Sequence, residues 1–227
     1  MSEVVASEPV AEDAAPALPL HWVALPCLVS FAAWELARLG LARLPEPWAT
    51  APPLWSMVRA VLLLAPAAVV THRVLGERLV PAFWLRVPER AGLLRSSLVG
   101  AAYLLLVNGL DVALGNPLVL PSPTLGELAQ TLFDAGVEEA LFRGYLLSHL
   151  LRGRRFARAN LLTAIIFLLP HSRKLIDFWS MGLRVELPII ALSIFVLGLA
   201  LGATARPVRS IWIATLVHAI ANLFASR

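Results

Sequence analysis

Apolar residues occur in long runs along most of this chain, and short stretches between the runs carry many of the prolines and arginines. Runs of this length match a helix that crosses a bilayer, and they lack the two-residue alternation of a half-buried strand. Helices also satisfy their own backbone hydrogen bonds in lipid. The pattern therefore predicts an all-α, polytopic transmembrane helical bundle of about seven spans, with approximate limits 22–40, 54–72, 96–114, 126–150, 159–171, 188–204 and 210–225.

The residues before the first apolar run differ in composition from the rest of the chain. Residues 1–20 contain four acidic residues and no Lys or Arg, which predicts a short disordered acidic tail rather than a signal peptide. Residues 21–227 show no fixed-period repeat and no linker, which predicts one membrane-embedded domain. The fifth segment is short and ends near Pro170, so we expect it either to kink there or to extend beyond residue 171.

Composition excludes an ordinary soluble domain. The 227 residues are 59% hydrophobic and 15% charged, whereas soluble domains are about 25% charged. The net charge of +4 does not indicate a nucleic-acid partner, because the arginines cluster in loops between apolar runs. The single Cys27 excludes an internal disulfide and a multi-cysteine metal site. The usage of Arg, Ala, Leu and Pro is typical of a GC-rich bacterial genome, so we expect a multi-pass protein of the bacterial inner membrane.

The basic loops predict a topology. Arginines concentrate in residues 73–95, 151–158 and 205–209, and alternating spans place these three loops on one side. The positive-inside rule then puts the N-terminus in the cytoplasm and the C-terminus outside. The first loop, which also holds Phe83 and Trp84, is either such a topology signal or a segment lying on the anionic leaflet.

Ionisable side chains within apolar spans are costly, which makes them functional candidates. The fourth segment is rich in them. At 100° per residue, five polar side chains fall on one narrow stripe: Glu127, Thr131, Asp134, Glu138 and His149. Glu139 and Arg143 lie beside the stripe, four residues apart, with the geometry of an ion pair.

This arrangement separates two adjacent glutamates. We expect Arg143 to hold Glu139 in a structural role as an ionised carboxylate, whereas Glu138 lies near Asp134 and has no cation on its own helix. An environment that disfavours the charged carboxylate suits general acid–base chemistry, so Glu138 is the predicted reactive residue. The alternative is a buried polar stripe that only holds helices together.

Two later segments add polar pairs. The fifth carries Phe167 and His171, and the last carries His218 and Asn222, each pair four residues apart on one helix face. A His and an Asn directed into one cavity can form an oxyanion pocket. The remaining histidines, His21, His72 and His149, lie near segment ends and indicate interfacial positions.

Three motifs now stand in order along successive helices: E-E-x-x-x-R from Glu138 to Arg143, F-x-x-x-H from Phe167 to His171, and H-x-x-x-N from His218 to Asn222. Together they resemble the CAAX protease and bacteriocin-processing (CPBP, or Abi) family of intramembrane glutamic endopeptidases, which includes the type II CAAX prenyl endopeptidases. The resemblance covers roughly residues 125–225, and the first three segments carry no motif of this kind. A short, arginine-rich bacterial chain is most similar to the myxosortase-like members, which cleave C-terminal sorting tags.

The resemblance implies a metal-independent peptide hydrolysis without a cofactor, acting on a membrane-associated protein or peptide within the lipid bilayer. It implies that Glu138 activates a water with help from His171, and that His218 and Asn222 stabilise the oxyanion. Glu139 and Arg143 would organise the site. Neither the substrate nor the oligomeric state follows from the sequence.

Two alternatives from other classes stay open. A zinc-dependent membrane protease would use Glu138, His171 and His218 as ligands, although the chain lacks an H-E-x-x-H helix. A non-catalytic immunity or scaffold protein would keep the motif helices without the reaction.

Overall fold

The computed structural model describes residues 18–41, 52–113, 115, 117–184 and 186–225. Residues 1–17, which make up most of the predicted acidic tail, lie outside the described residues. The described part of the chain is helical and contains no strand. The predicted all-α class is therefore confirmed.

Ten α-helices follow one another in the described residues, some continued by a turn of π- or 3₁₀-helix. They are α1 Leu20–Leu41, α2 Pro52–Val69, α3 Leu79–Ala82, α4 Arg90–Ala113, α5 Leu125–Glu139, α6 Ser148–Leu150, α7 Phe156–Ile166, α8 Ser172–Ser180, α9 Glu186–Ala205 and α10 Trp212–Ala225.

Four of these helical stretches are long and apolar enough to cross a membrane: Leu20–Gly40, Leu54–Val74, Arg90–Ala113 and Leu187–Val208. The helix Trp212–Ala225 is apolar but shorter. Many large apolar side chains on these helices point outward, for example Leu105, which is 75% exposed. Apolar surface of this kind is what a bilayer covers, so the chain is a helical membrane protein.

The fourth predicted segment is one continuous helical rod with an unusual interior. α5 passes into a π-helix at Ala140–Leu147, which in turn passes into α6. This π-helix is buried along its whole length, and the other helices pack around it. A side chain at Gly144 would collide with the backbone carbonyl of Phe83, so only glycine fits there. π-Helical turns are rare and frequently occur at functional sites.

The fifth predicted segment is broken rather than extended. α7 ends at Ile166, a 3₁₀ turn covers Leu169–His171, and α8 begins as a separate helix at Ser172. Pro170 lies in that turn, where its ring and missing N–H do not interrupt an α-helix. Of the two expectations for this segment, the kink is confirmed.

The three basic loops meet at one end of the bundle. Arg152 forms a two-pronged ion pair with Glu77, and the Glu89 N–H donates to the Val208 carbonyl at 3.2 Å. Burial raises the pKa of Glu77, but the hydrogen bonds and charges of Arg152 and His149 outweigh it and hold this pKa at about 2. The predicted placement of all three loops on one side is confirmed, while the membrane face that they occupy stays a prediction.

Two residues at this end lie deeper than the sequence indicates. Phe83 and Trp84 are only 4% and 3% exposed, and the Phe83 ring lies 5.7 Å from that of Tyr145. A position of these rings on the leaflet surface is therefore wrong.

His149 is also fully buried, with its Nδ1 donating to the Tyr145 carbonyl at 2.7 Å. The His149 ring is therefore shielded from the surface, while its depth in the membrane stays a prediction.

Candidate active site

The last two residues of α5, Glu138 and Glu139, form the centre of the site. Both side chains are buried, and they stand directly before the π-helix. Being adjacent on a helix, they point in directions about 100° apart and meet different neighbours.

Glu139 is held by two donors. Its Oε1 accepts from Arg143 Nη1 at 2.8 Å and from His218 Nδ1 at 2.9 Å. Arg143 also donates from Nη2 to the Gly198 carbonyl at 2.8 Å, and its guanidinium lies 4.5 Å from the centre of the Phe167 ring. The predicted Glu139–Arg143 ion pair is confirmed. It ties the α5 rod to the helices α7, α9 and α10.

Glu138 faces a different set of groups. Its Oε1 pairs with the guanidinium of Arg59 from α2, and its Oε2 lies 3.8 Å from His218 Nε2. Among the described residues no protein group donates to this Oε2. Because Nδ1 of His218 donates to Glu139, the other ring nitrogen is the one that faces Glu138.

Arg59 is the part of the site that the sequence reasoning missed. Glu138 has no cation on its own helix, but α2 supplies one, so the expectation that its surroundings disfavour the charged carboxylate is wrong. The available signal was a lone arginine within the apolar run 54–72, where an ionised side chain is costly.

The predicted stripe on α5 divides into parts with different roles. Asp134 accepts hydrogen bonds from Ser56 Oγ and Gln130 Nε2, both at 2.9 Å, so it does connect α5 to α2. Glu127 is exposed and forms a capping box with Thr124 at the helix start, so it does not face the bundle. His149 lies beyond the π-helix, whose wider turn changes the angular register on which the stripe depends.

His171 approaches the site from the 3₁₀ turn. Its Nδ1 donates to the Phe167 carbonyl at 3.0 Å, and its ring interacts electrostatically with Glu138. The Phe167 ring lies 4.9 Å from the His171 ring and 5.6 Å from the His218 ring. The rings of His171 and His218 therefore both contact the same aromatic ring.

Asn222 lies one helical turn after His218 and is exposed. Together with His171 it lines a pocket of about 280 Å³ between α4, α8, α9 and α10. Most of the other lining groups are apolar, among them Leu104, Val107 and Leu197. The structure thus brings Glu138, Glu139, Arg143 and His218 into one network of contacts, with His171 beside it. Asn222 lines the pocket with His171, whereas His218 does not line it.

A metal centre has no evident place here. Within the described ranges, no group of three or more His, Cys, Asp or Glu side chains is arranged to hold a metal ion. Both carboxylates at the centre instead pair with a guanidinium, from Arg59 and from Arg143.

Fold and site together define a helical membrane protein with a buried carboxylate–imidazole centre. Residues 121–224, which run from just before α5 into the last turn of α10, match the family model described as type II CAAX prenyl endopeptidase Rce1-like. The predicted resemblance to CPBP proteases is thereby confirmed. Comparison with the curated proteins finds no match, and comparison with the solved structures finds none either. The family is a protease family, which supports endopeptidase activity on a membrane-associated protein.

Proposed function

We propose that the chain is an intramembrane glutamic endopeptidase that hydrolyses a peptide bond near the terminus of a membrane-associated protein or peptide. The observation that carries this proposal is the setting of Glu138. One of its oxygens is fixed by Arg59, while the other faces an imidazole and accepts no hydrogen bond from the described protein groups.

The proposed reaction uses that second oxygen as the general base. Glu138 Oε2 takes a proton from a water, assisted by His171, and the resulting hydroxide attacks the carbonyl carbon of the scissile bond. His218, when its ring carries both protons, donates from Nε2 to the oxyanion, and the Asn222 amide is the second donor. The tetrahedral intermediate then breaks its C–N bond as Glu138 passes the proton to the leaving nitrogen.

Glu139 and Arg143 organise this centre. Glu139 fixes the His218 ring through Nδ1, and Arg143 holds Glu139 in turn. A partner on one ring nitrogen sets the tautomer and orientation of the other, as in hydrolase triads.

The pocket that contains His171 and Asn222 is the proposed entry for substrate. Its apolar walls accommodate an extended, mostly apolar chain terminus, and α4 and α9 border it on the sides. We further propose that residues 21–227 work as one domain in the bacterial inner membrane.

The experiment that tests this proposal compares the membrane and secreted proteomes of wild-type, deletion and Glu138→Ala strains, with protein termini mapped by mass spectrometry. A small set of proteins should keep an extra terminal segment in both mutant strains. Glu127→Gln is the matched control, because Glu127 lies on the same helix but is exposed, and Gln also serves in a capping box.

Two other results of this experiment would favour a different reactive residue or a non-catalytic protein. If the deletion changes termini and Glu138→Ala does not, Glu138 is not the reactive residue. If neither strain changes any terminus, the chain is the non-catalytic immunity or scaffold protein that the motifs alone also allow.

A further inference from the structure

The first four helices lie outside the matched family segment, yet α2 sends a charged side chain into the site. The Arg59 guanidinium pairs with Glu138 through Nη2 and lies 3.6 Å from Asp134 through Nη1. Its side chain is 21% exposed, in a helix that is otherwise apolar enough to span the bilayer. Since a cation in such a helix is costly, a specific use of it is expected.

Arg59 is fixed from several directions. Asp134 binds one arm of the guanidinium, and Ser56 and Gln130 in turn hydrogen-bond to Asp134. The indole ring of Trp34 on α1 lies 5.8 Å from the guanidinium carbon. A planar guanidinium held in this way presents its second arm to Glu138 in one orientation.

We propose that Arg59 is a positioning residue for Glu138, an inference that rests on the proposed function above. By binding Oε1, it fixes the rotation of the carboxylate so that Oε2 points toward His218 and the reacting water. Small displacements of a catalytic group cost large factors in rate, so this orientation belongs to the machinery of the reaction. Helix α2 is then part of the active site, although it lies outside the segment that matches the family model.

Arg59 also joins α2 to α5, so a purely structural role has to be separated from a positioning role. Enzyme kinetics on purified protein in proteoliposomes make this distinction. The substrate is a quenched-fluorescence peptide that spans a bond identified in the proteome comparison, one that wild-type strains cut and Glu138→Ala strains do not. The variants are Arg59→Gln, Arg59→Lys, Asp134→Asn and the double variant Arg59→Gln/Asp134→Asn. Arg95→Gln is the control, since Arg95 is an exposed arginine of α4.

We expect Arg59→Gln to lower kcat by about 10- to 100-fold with KM changed less than about twofold. Arg59→Lys should recover part of kcat because it restores the charge without the planar fork. Asp134→Asn should lower kcat by itself but cause no further loss in the Arg59→Gln background, because it acts through Arg59. Arg95→Gln should match wild type.

Several results would overturn the inference. Full kcat in folded Arg59→Gln, or additive losses from Asp134→Asn in the double variant, would remove the positioning role. If Arg59→Gln does not fold, Arg59→Lys decides, and an unchanged kcat there contradicts the proposal. Failure of wild-type protein to cut the peptide, or full activity of Glu138→Ala, would instead overturn the proposed function itself.

Discussion

Removal of Arg143 tests how the centre of the bundle is held together. Arg143 and Glu139 are both 0% exposed, and they form an ion pair at 2.8 Å. Arg143→Met keeps a long apolar side chain but leaves the Glu139 carboxylate buried without its cation. It also removes a donor from the Gly198 carbonyl.

The expected cost follows from the general behaviour of buried ion pairs. Removing one partner destabilises a protein by about 3–5 kcal/mol, because an uncompensated charge stays in the interior. Replacing both partners is far less costly, so the double variant Glu139→Gln/Arg143→Met should recover about 2 kcal/mol of this loss. His218 can still donate to the amide oxygen that replaces the carboxylate.

The assay is equilibrium unfolding by SDS in mixed micelles, followed by the fluorescence of the seven tryptophans. Arg158→Met is the matched control, because Arg158 is exposed on α7 and should change stability by less than about 0.5 kcal/mol. If Arg143→Met unfolds like wild type, or if the double variant is no more stable than the single one, the buried ion pair does not hold the bundle together in this way.

Three further predictions concern stability and cofactor dependence. Because the pKa of Glu77 is depressed, its ion pair stabilises the fold above the ordinary carboxyl pKa of 4.5, and this stability is lost as the pH falls toward about 2. SDS unfolding of wild type and Glu77→Gln should therefore differ at pH 7 and converge at acid pH. A difference that does not depend on pH would contradict this. Gly144→Ala should lower the free energy of unfolding by about 1–3 kcal/mol in the same assay, because the new Cβ meets the Phe83 carbonyl. Gly109→Ala is the control and should not destabilise the protein, because its Cβ meets open space. Equal losses of stability in the two variants would contradict the packing at Gly144. Peptide cleavage should persist in 1,10-phenanthroline, while inhibition reversed by zinc would favour the zinc-dependent alternative.

Local spacing predicted those features of the site that depend on one helix. The pair Glu139 and Arg143 is four residues apart on α5 and the first π-helical turn, so its contact follows from the chain itself. The apolar runs predicted the helices for the same reason, since the length of a run fixes whether it can span a bilayer.

Features that depend on packing between helices did not follow from the spacing. Arg59 lies 79 residues from Glu138, and no periodicity shows that α2 packs against α5. The π-helix altered the register before His149, and the break after α7 moved His171 off the line of its helix. The burial of Phe83 and Trp84 likewise depends on a loop folding back against the bundle.

The role assigned to Glu138 is tested most directly by following the hydrolysis of a peptide bond. Purified protein in proteoliposomes is given a peptide that spans a mapped bond in water enriched in ¹⁸O, and the products are weighed by mass spectrometry. Wild-type protein and Glu127→Gln should place one ¹⁸O in the new carboxyl terminus, and Glu138→Gln should give no product. Cleavage by Glu138→Gln at the wild-type rate would contradict the assignment of Glu138 as the residue that activates water.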